Sequence, residues 1–116
     1  MDCLFCKIAS KEIPAEIISE GNDYVSFLDV SPRAEGHTLV VPKSHATNIL
    51  ELNSDKIGPL FEGLQQTAKL IKDSLGPDGF TIGINHGSVA GQAVEHLHIH
   101  IIPRFKDDGG DSIHEI

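Results

Sequence analysis

Residues 95–101 read Glu-His-Leu-His-Ile-His-Ile, and this strict alternation restricts the segment to an extended strand. Successive side chains of a strand point to opposite faces, so His96, His98 and His100 share one face and Leu97, Ile99 and Ile101 the other. The apolar face requires a second layer to cover it. A core has no use for three imidazoles in a row, so the His face is a chemical site: a metal centre, or a nucleophile with its orienting neighbours. We expect the strand over residues 94–103.

The rest of the chain supplies partners for it. Leu4, Phe5 and Ile8 fit one face of a short helix that Pro14 must end. Extended runs at 17–19 and 24–28 flank the turn cluster Gly21-Asn22-Asp23, the pattern of an antiparallel hairpin. A loop over 31–36 leads to a β-branched run at 37–41, closed by Pro42. Ile57, Leu60, Phe61, Leu64, Ala68, Ile71 and Leu75 keep helical rhythm, with Ser54 or Asp55 as N-cap and Gly76-Pro77 as the stop. Pro59 predicts an irregular first turn or a start only near Lys56. Phe80, Ile82 and Ile84 alternate as a strand. With 116 residues, 40% of them hydrophobic, the chain suffices for one core, and 1–116 is read as one domain with a loose tail over 106–116.

Charge and hydropathy narrow the partners. A net charge of −8, with nine Lys and Arg, excludes a polyanion-binding stripe and hence a nucleic acid polymer. A single nucleotide remains compatible, because backbone N–H groups can hold a small anion. No apolar run approaches the roughly 20 residues of a membrane span, and residues 1–5 lack a leader pattern. The expectation is a cytoplasmic protein with no membrane attachment.

Upstream of the His row, Gly87 and Gly91 permit close backbone approach to an anion, and Asn85 and Gln92 offer neutral polar groups for its oxygens. That setting favours phosphoryl chemistry over a redox metal. Cys3 and Cys6 form a C-x-x-C pair, which suits half of a tetrahedral zinc site, a free buried pair or a redox pair. The redox reading lacks the preceding strand that its usual context requires. His86 and His114 are read as solvent residues.

His96-Leu97-His98-Ile99-His100-Ile101-Ile102, led in by Gly91-Gln92, resembles the defining motif of the histidine-triad (HIT) superfamily, and similar segments run from residue 2 to about 105. The resemblance implies an α+β fold with a five-stranded antiparallel sheet, one long and one short helix, and a homodimer. It also implies cleavage at the α-phosphate of a nucleotide. By position, His98 is the nucleophile that becomes nucleotidylated, His96 and His100 orient the phosphate, and His37, Asn85, Gly91, Gln92 and Ala93 belong to the phosphate end. Asp29 corresponds to the ribose-binding residue, and Phe5, Ile8 and Phe27 to the base pocket. Relatives with the N-terminal Cys pair complete a structural zinc site with the positions of His45 and His96. Ala93 stands where many relatives carry a hydroxyl, and the chain lacks the aromatic C-terminus of the purine phosphoramidase branch.

The expected activity is hydrolysis of purine nucleoside phosphoramidates or adenylates, with AMP or an AMP conjugate as ligand and no cofactor needed for catalysis. The rivals are a dinucleoside polyphosphate hydrolase, a nucleotide-binding module with little catalysis, and a His-ligated metalloenzyme. The long amphipathic helix carries more apolar positions than one small sheet covers, which also points to a homodimer.

Overall fold

Two short extended runs joined by a Gly-Asn-Asp turn have one economical arrangement, and the computed structural model adopts it: β1 (Ile17–Glu20) pairs antiparallel with β2 (Tyr24–Leu28). The structure describes residues 3–30 and 35–110. Part of the expected 31–36 loop, the 111–116 part of the tail and His114 lie outside them.

Three further strands, β3 (Thr38–Pro42), β4 (Gly79–Gly83) and β5 (Ile99–Arg104), complete a five-stranded sheet in the order β1-β2-β3-β5-β4, every pair antiparallel. With α1 (Leu4–Ala9) and α2 (Ser54–Leu75), this is the expected α+β fold with one short and one long helix.

The sheet buries both faces, and β3 is buried along its whole length. Val40, Ile99 and Ile101 pack with Leu60 and Ile71 of α2 on one side. On the other side Val25, Phe27, Leu39 and Val41 pack against Cys3, Phe5 and Ile8 of the N-terminal segment. The period-two pattern thus divides β3 between the two layers, Val40 on the α2 side and Leu39 and Val41 on the α1 side.

Several boundaries differ from expectation. The short helix ends at Ala9, five residues ahead of Pro14, because the chain turns at once through Lys11 at φ +69°. The long helix starts at Ser54 with Asn53 in the cap position and no side-chain cap bond, so neither Ser54 nor Asp55 is the N-cap. Pro59 sits early in α2 without breaking it, since its missing N–H costs at most one bond near the poorly paired helix start. Gly76 closes the helix in the left-handed conformation as expected.

Leu60, Gly63, Thr67 and Ile71 form the inward ridge of α2, whereas Ile57 and Phe61 are 38% and 45% exposed. Residues 105–110 are tied down by Arg104, which makes two 2.9 Å bonds to the Asp108 carboxylate, and by Lys106 N–H donating to Asp78. No helix among the described residues is long and apolar enough to cross a membrane.

Candidate active site and metal centre

The alternation of residues 96–101 survives, but the strand is shorter than expected. Regular pairing begins at Ile99 and ends at Arg104, so of the three histidines only His100 lies within β5. The β3–β5 register, Thr38↔Ile101 through Val40↔Ile99, would next set Pro42 opposite Leu97. Pro42 has no N–H to offer. Its carbonyl instead accepts Nε2–H of His96 at 2.9 Å, and Leu97 N–H turns to the carbonyl of Ala46 at 2.7 Å. The ladder therefore stops where the chemistry starts.

Backbone carbonyls fix two imidazole tautomers here. His96 donates from Nε2, which leaves its Nδ1 lone pair facing Cys3 and Cys6. His98 donates from Nδ1 to the carbonyl of His96 at 2.7 Å, which leaves the lone pair on Nε2. The His98 ring lies edge-on to Phe5 and to His100, with centroids 5.1 and 5.0 Å away. His96 is fully buried, and burial pushes its pKa down to about 4.

Strand register assembles a second group. Phe27 lies opposite Leu39, and Leu39 opposite His100. Continuing the first pairing two residues outward sets Asp29 beside His37, whose backbones bond at 2.9 Å. His37 Nε2 is then 3.0 Å from His100 Nδ1 and 3.7 Å from the Asp29 carboxylate.

Phe5, Ile8, Phe27 and Asp29 line one cavity of about 830 Å³, the size of a small-molecule site. Ile13, Leu39 and Val94 line it too, and the sequence reading missed them; only their apolar character marked them out, which core residues share.

In the loop before the triad, Gly87 and Gly91 take φ +87° and +95°, values that side chains disfavour. A Cβ on Gly91 would come within 3.6 Å of the Asn85 amide nitrogen, and Ala93 is exposed. Both halves of the Gln92 amide are engaged within the protein: Oε1 accepts Gly87 N–H at 2.8 Å, and Nε2 donates to the carbonyls of Thr47 (2.7 Å) and Val94 (3.0 Å). Gln92 thus braces the loop.

Cys3, Cys6, His45 and His96 converge from three separate parts of the chain, each presenting a ligand atom within 4.8 Å of the others. Cys3 Sγ and Cys6 Sγ lie 3.2 and 3.5 Å from His96 Nδ1, and His45 Nδ1 lies 3.3 Å from Cys6 Sγ and 3.2 Å from His96 Nδ1. Zinc bonds of about 2.3 Å to sulfur and about 2.05 Å to nitrogen give tetrahedral edges of about 3.4–3.8 Å. The four residues fit zinc in donor type and in size. The Pro42 carbonyl on His96 Nε2–H is the kind of outer contact that orients a metal-binding imidazole. Without a cation, burial and the neighbouring Cys3 push the Cys6 thiol up to about 11.

Residues 10–107 match the HIT domain family. An uncharacterized HIT-like protein of Methanocaldococcus jannaschii is 47% identical over 107 residues, 92% of this chain and 82% of the relative. The adenosine 5'-monophosphoramidase of Schizosaccharomyces pombe is 36% identical over 110 residues, 95% of this chain and 80% of that protein. A Zn-bound histidine triad family protein of Mycobacterium smegmatis superposes with a TM-score of 0.87 at 35% identity, covering 94% of this chain and 79% of the other.

Proposed function

This chain belongs to the HIT domain family, and we propose that it is a hydrolase cleaving purine nucleoside phosphoramidates or adenylates through a nucleotidyl intermediate on His98. The observation that carries this reading is the bond from His98 Nδ1–H to the His96 carbonyl. It commits the Nε2 lone pair to the outside of the ring, as a nucleophile requires.

In the first step His98 Nε2 forms a bond to the α-phosphorus while the bond from phosphorus to the amine nitrogen, or to the acyloxy oxygen of an adenylate, breaks and the leaving group takes the electron pair. A carboxylate leaves as the anion, whereas the amine takes a proton from solvent, balanced by the proton that water gives up in the second step. In the second, water attacks the same phosphorus, the N–P bond breaks, and nucleoside monophosphate leaves with His98 restored. Splitting the displacement replaces one hard step by two easier ones. His100, backed by His37, and the backbone of Gly91 orient the phosphate oxygens; Asn85 and Ala93 flank it. Asp29 takes the ribose hydroxyls, and Phe5, Ile8 and Phe27 the base, within the cavity they line. The phosphoramidase activity of the fission yeast relative supports the substrate class.

Zinc is proposed as a structural ion on Cys3, Cys6, His45 and His96, with the Zn-bound mycobacterial structure in support. Four protein ligands leave no open position, so the ion supplies stability and no reaction step. The exposed Ile57 and Phe61 on α2 support a homodimer. Two thiols not joined in a disulfide accord with a reducing, cytoplasmic setting.

The test is intact mass after rapid quench with an adenosine phosphoramidate, beside turnover of a diadenosine polyphosphate. A nucleotidylated species in the wild type, absent in His98→Ala, is the expected result. Comparable turnover by His98→Ala overturns the mechanism. Preference for the polyphosphate overturns the substrate class, and AMP binding without turnover of either makes the protein a binding module.

A further inference from the structure

We propose that Asp29, His37 and His100 form a second metal site, which takes a divalent transition-metal ion of the zinc class and blocks the nucleotide site while the ion is bound. The three residues come from adjacent strand positions, after β2, before β3 and within β5, on one face of the sheet. Each presents one ligand atom, and the three lie within 4.8 Å of one another.

The spacings suit coordination. Bonds of about 2.0–2.2 Å from nitrogen or oxygen to zinc give tetrahedral edges of about 3.3–3.6 Å. His37 Nε2 lies 3.0 Å from His100 Nδ1 and 3.7 Å from Asp29 Oδ2, on either side of that range. The proton held between the two imidazoles moves to the opposite nitrogen of its own ring when the ion enters, and both rings stay neutral. Two imidazoles and one carboxylate suit zinc, cobalt or nickel better than magnesium or calcium, which prefer all-oxygen shells. Asp29 lines the large cavity, so one of the three ligands borders the proposed base and ribose pocket.

No residue is shared with the Cys3, Cys6, His45 and His96 centre, and no sulfur is present among the three ligands. The two sites are therefore spectroscopically separable. Three protein ligands also leave open positions for water, which marks an exchangeable ion rather than a structural one. Metal binding here stands independently of the proposed hydrolase activity; only the blockade rests on that reading, which assigns Asp29 to the ribose and His100 to the phosphate.

The experiment is a cobalt(II) titration of the full-length, metal-stripped protein, followed by absorption and by equilibrium dialysis. One equivalent should bring thiolate-to-cobalt charge transfer, and a further equivalent should bind with weak visible bands and no thiolate band. Asp29→Asn and His100→Gln should each keep the thiolate-bound equivalent and weaken the other at least tenfold. AMP should displace the second equivalent alone. A wild type that stops at one equivalent, or variants that both take two with unchanged affinity, overturn the site. A second ion indifferent to AMP overturns the blockade. A protein that binds both ions as described, yet turns over no nucleotide with the second ion removed, fails the hydrolase reading and not this one.

Discussion

His98 donates its Nδ1–H to the backbone carbonyl of His96, two residues earlier, at 2.7 Å. His96 does the reverse, donating from Nε2 to Pro42. Neighbouring residues of one motif are therefore held in opposite tautomers, each by a carbonyl that the sheet ladder does not use. Long-range proton–nitrogen correlation in mildly alkaline solution should find His98 protonated on Nδ1 and His96 on Nε2. Protonation of His98 on Nε2 instead removes the structural basis for His98 as nucleophile.

Cys3 caps α1 and is a ligand of the proposed zinc site, two roles that a serine substitution separates. Its Sγ accepts Cys6 N–H at the start of α1, a capping role that a serine hydroxyl fills well, whereas serine is a poor zinc ligand. Cys3→Ser should lose stoichiometric zinc and melt lower than the zinc-loaded wild type. The expected stability loss is about 3 kcal/mol when free zinc stands about 100-fold above its dissociation constant. Elemental analysis with thermal melts decides it. Full zinc content in Cys3→Ser, or an unchanged melting temperature, overturns the assignment.

Metal-free protein should lose stability in mild acid through His96. Burial depresses the folded-state pKa to about 4, from 6.5 for the free side chain. Between those values the unfolded chain binds more protons, so unfolding free energy rises with pH across the window. The contribution is complete above about 6.5 and lost as pH falls toward about 4, amounting to about 3 kcal/mol at most. Urea unfolding of chelated protein across this range should show the slope, and His96→Gln should flatten it. A flat wild-type profile means that His96 is not held neutral by burial.

The layered fold was legible because period-two and helical patterns report burial directly, and Leu97, Ile99 and Ile101 are buried as their alternation requires. The start of β5 was not legible. Its cause is Pro42, 57 positions away from Ile99 in the chain and opposite Leu97 only in the folded register. For the same reason the brace formed by Gln92 was invisible: its partners Gly87, Thr47 and Val94 are backbone groups, which no side-chain motif reveals. The spacing of Cys3 and Cys6 allowed half of a metal site beside a free or a redox pair. The positions of His45 and His96 completed it only through resemblance, since nothing local ties those segments together.

Gly63 looks replaceable, because alanine favours an interior helix position by about 1 kcal/mol. The site forbids it. A Cβ there would meet Tyr24 Cγ at 2.4 Å and the adjoining ring carbons within 2.6 Å, and the root of an aromatic ring cannot swing aside without moving β2. Gly63→Ala should destabilise by about 1–3 kcal/mol, as overpacking does. Restoration by a second change, Tyr24→Ala, which removes Cγ and everything beyond it, would identify the ring as the obstacle. A stabilised Gly63→Ala by chemical denaturation overturns this account.

Gln92 should act on the nucleotide through the loop it braces rather than by a direct bond to phosphate. Its three amide contacts hold the segment bearing Gly87 and Gly91 against Thr47 and Val94. Each such bond contributes about 0.5–1.5 kcal/mol, so Gln92→Ala should lower stability by about 1–3 kcal/mol and loosen the loop. Gln92→Glu keeps the acceptor for Gly87 N–H but turns an oxygen toward two carbonyls that previously received N–H groups. Hydrogen exchange at the Gly87 amide should therefore quicken in Gln92→Ala and much less in Gln92→Glu, while both variants bind AMP at least tenfold more weakly. A direct phosphate contact predicts another pattern: Gln92→Glu far worse than Gln92→Ala, through charge repulsion, with Gly87 exchange unchanged in both. Exchange mass spectrometry and calorimetry on the same two proteins separate these outcomes, because the brace moves a backbone amide and a ligand contact does not.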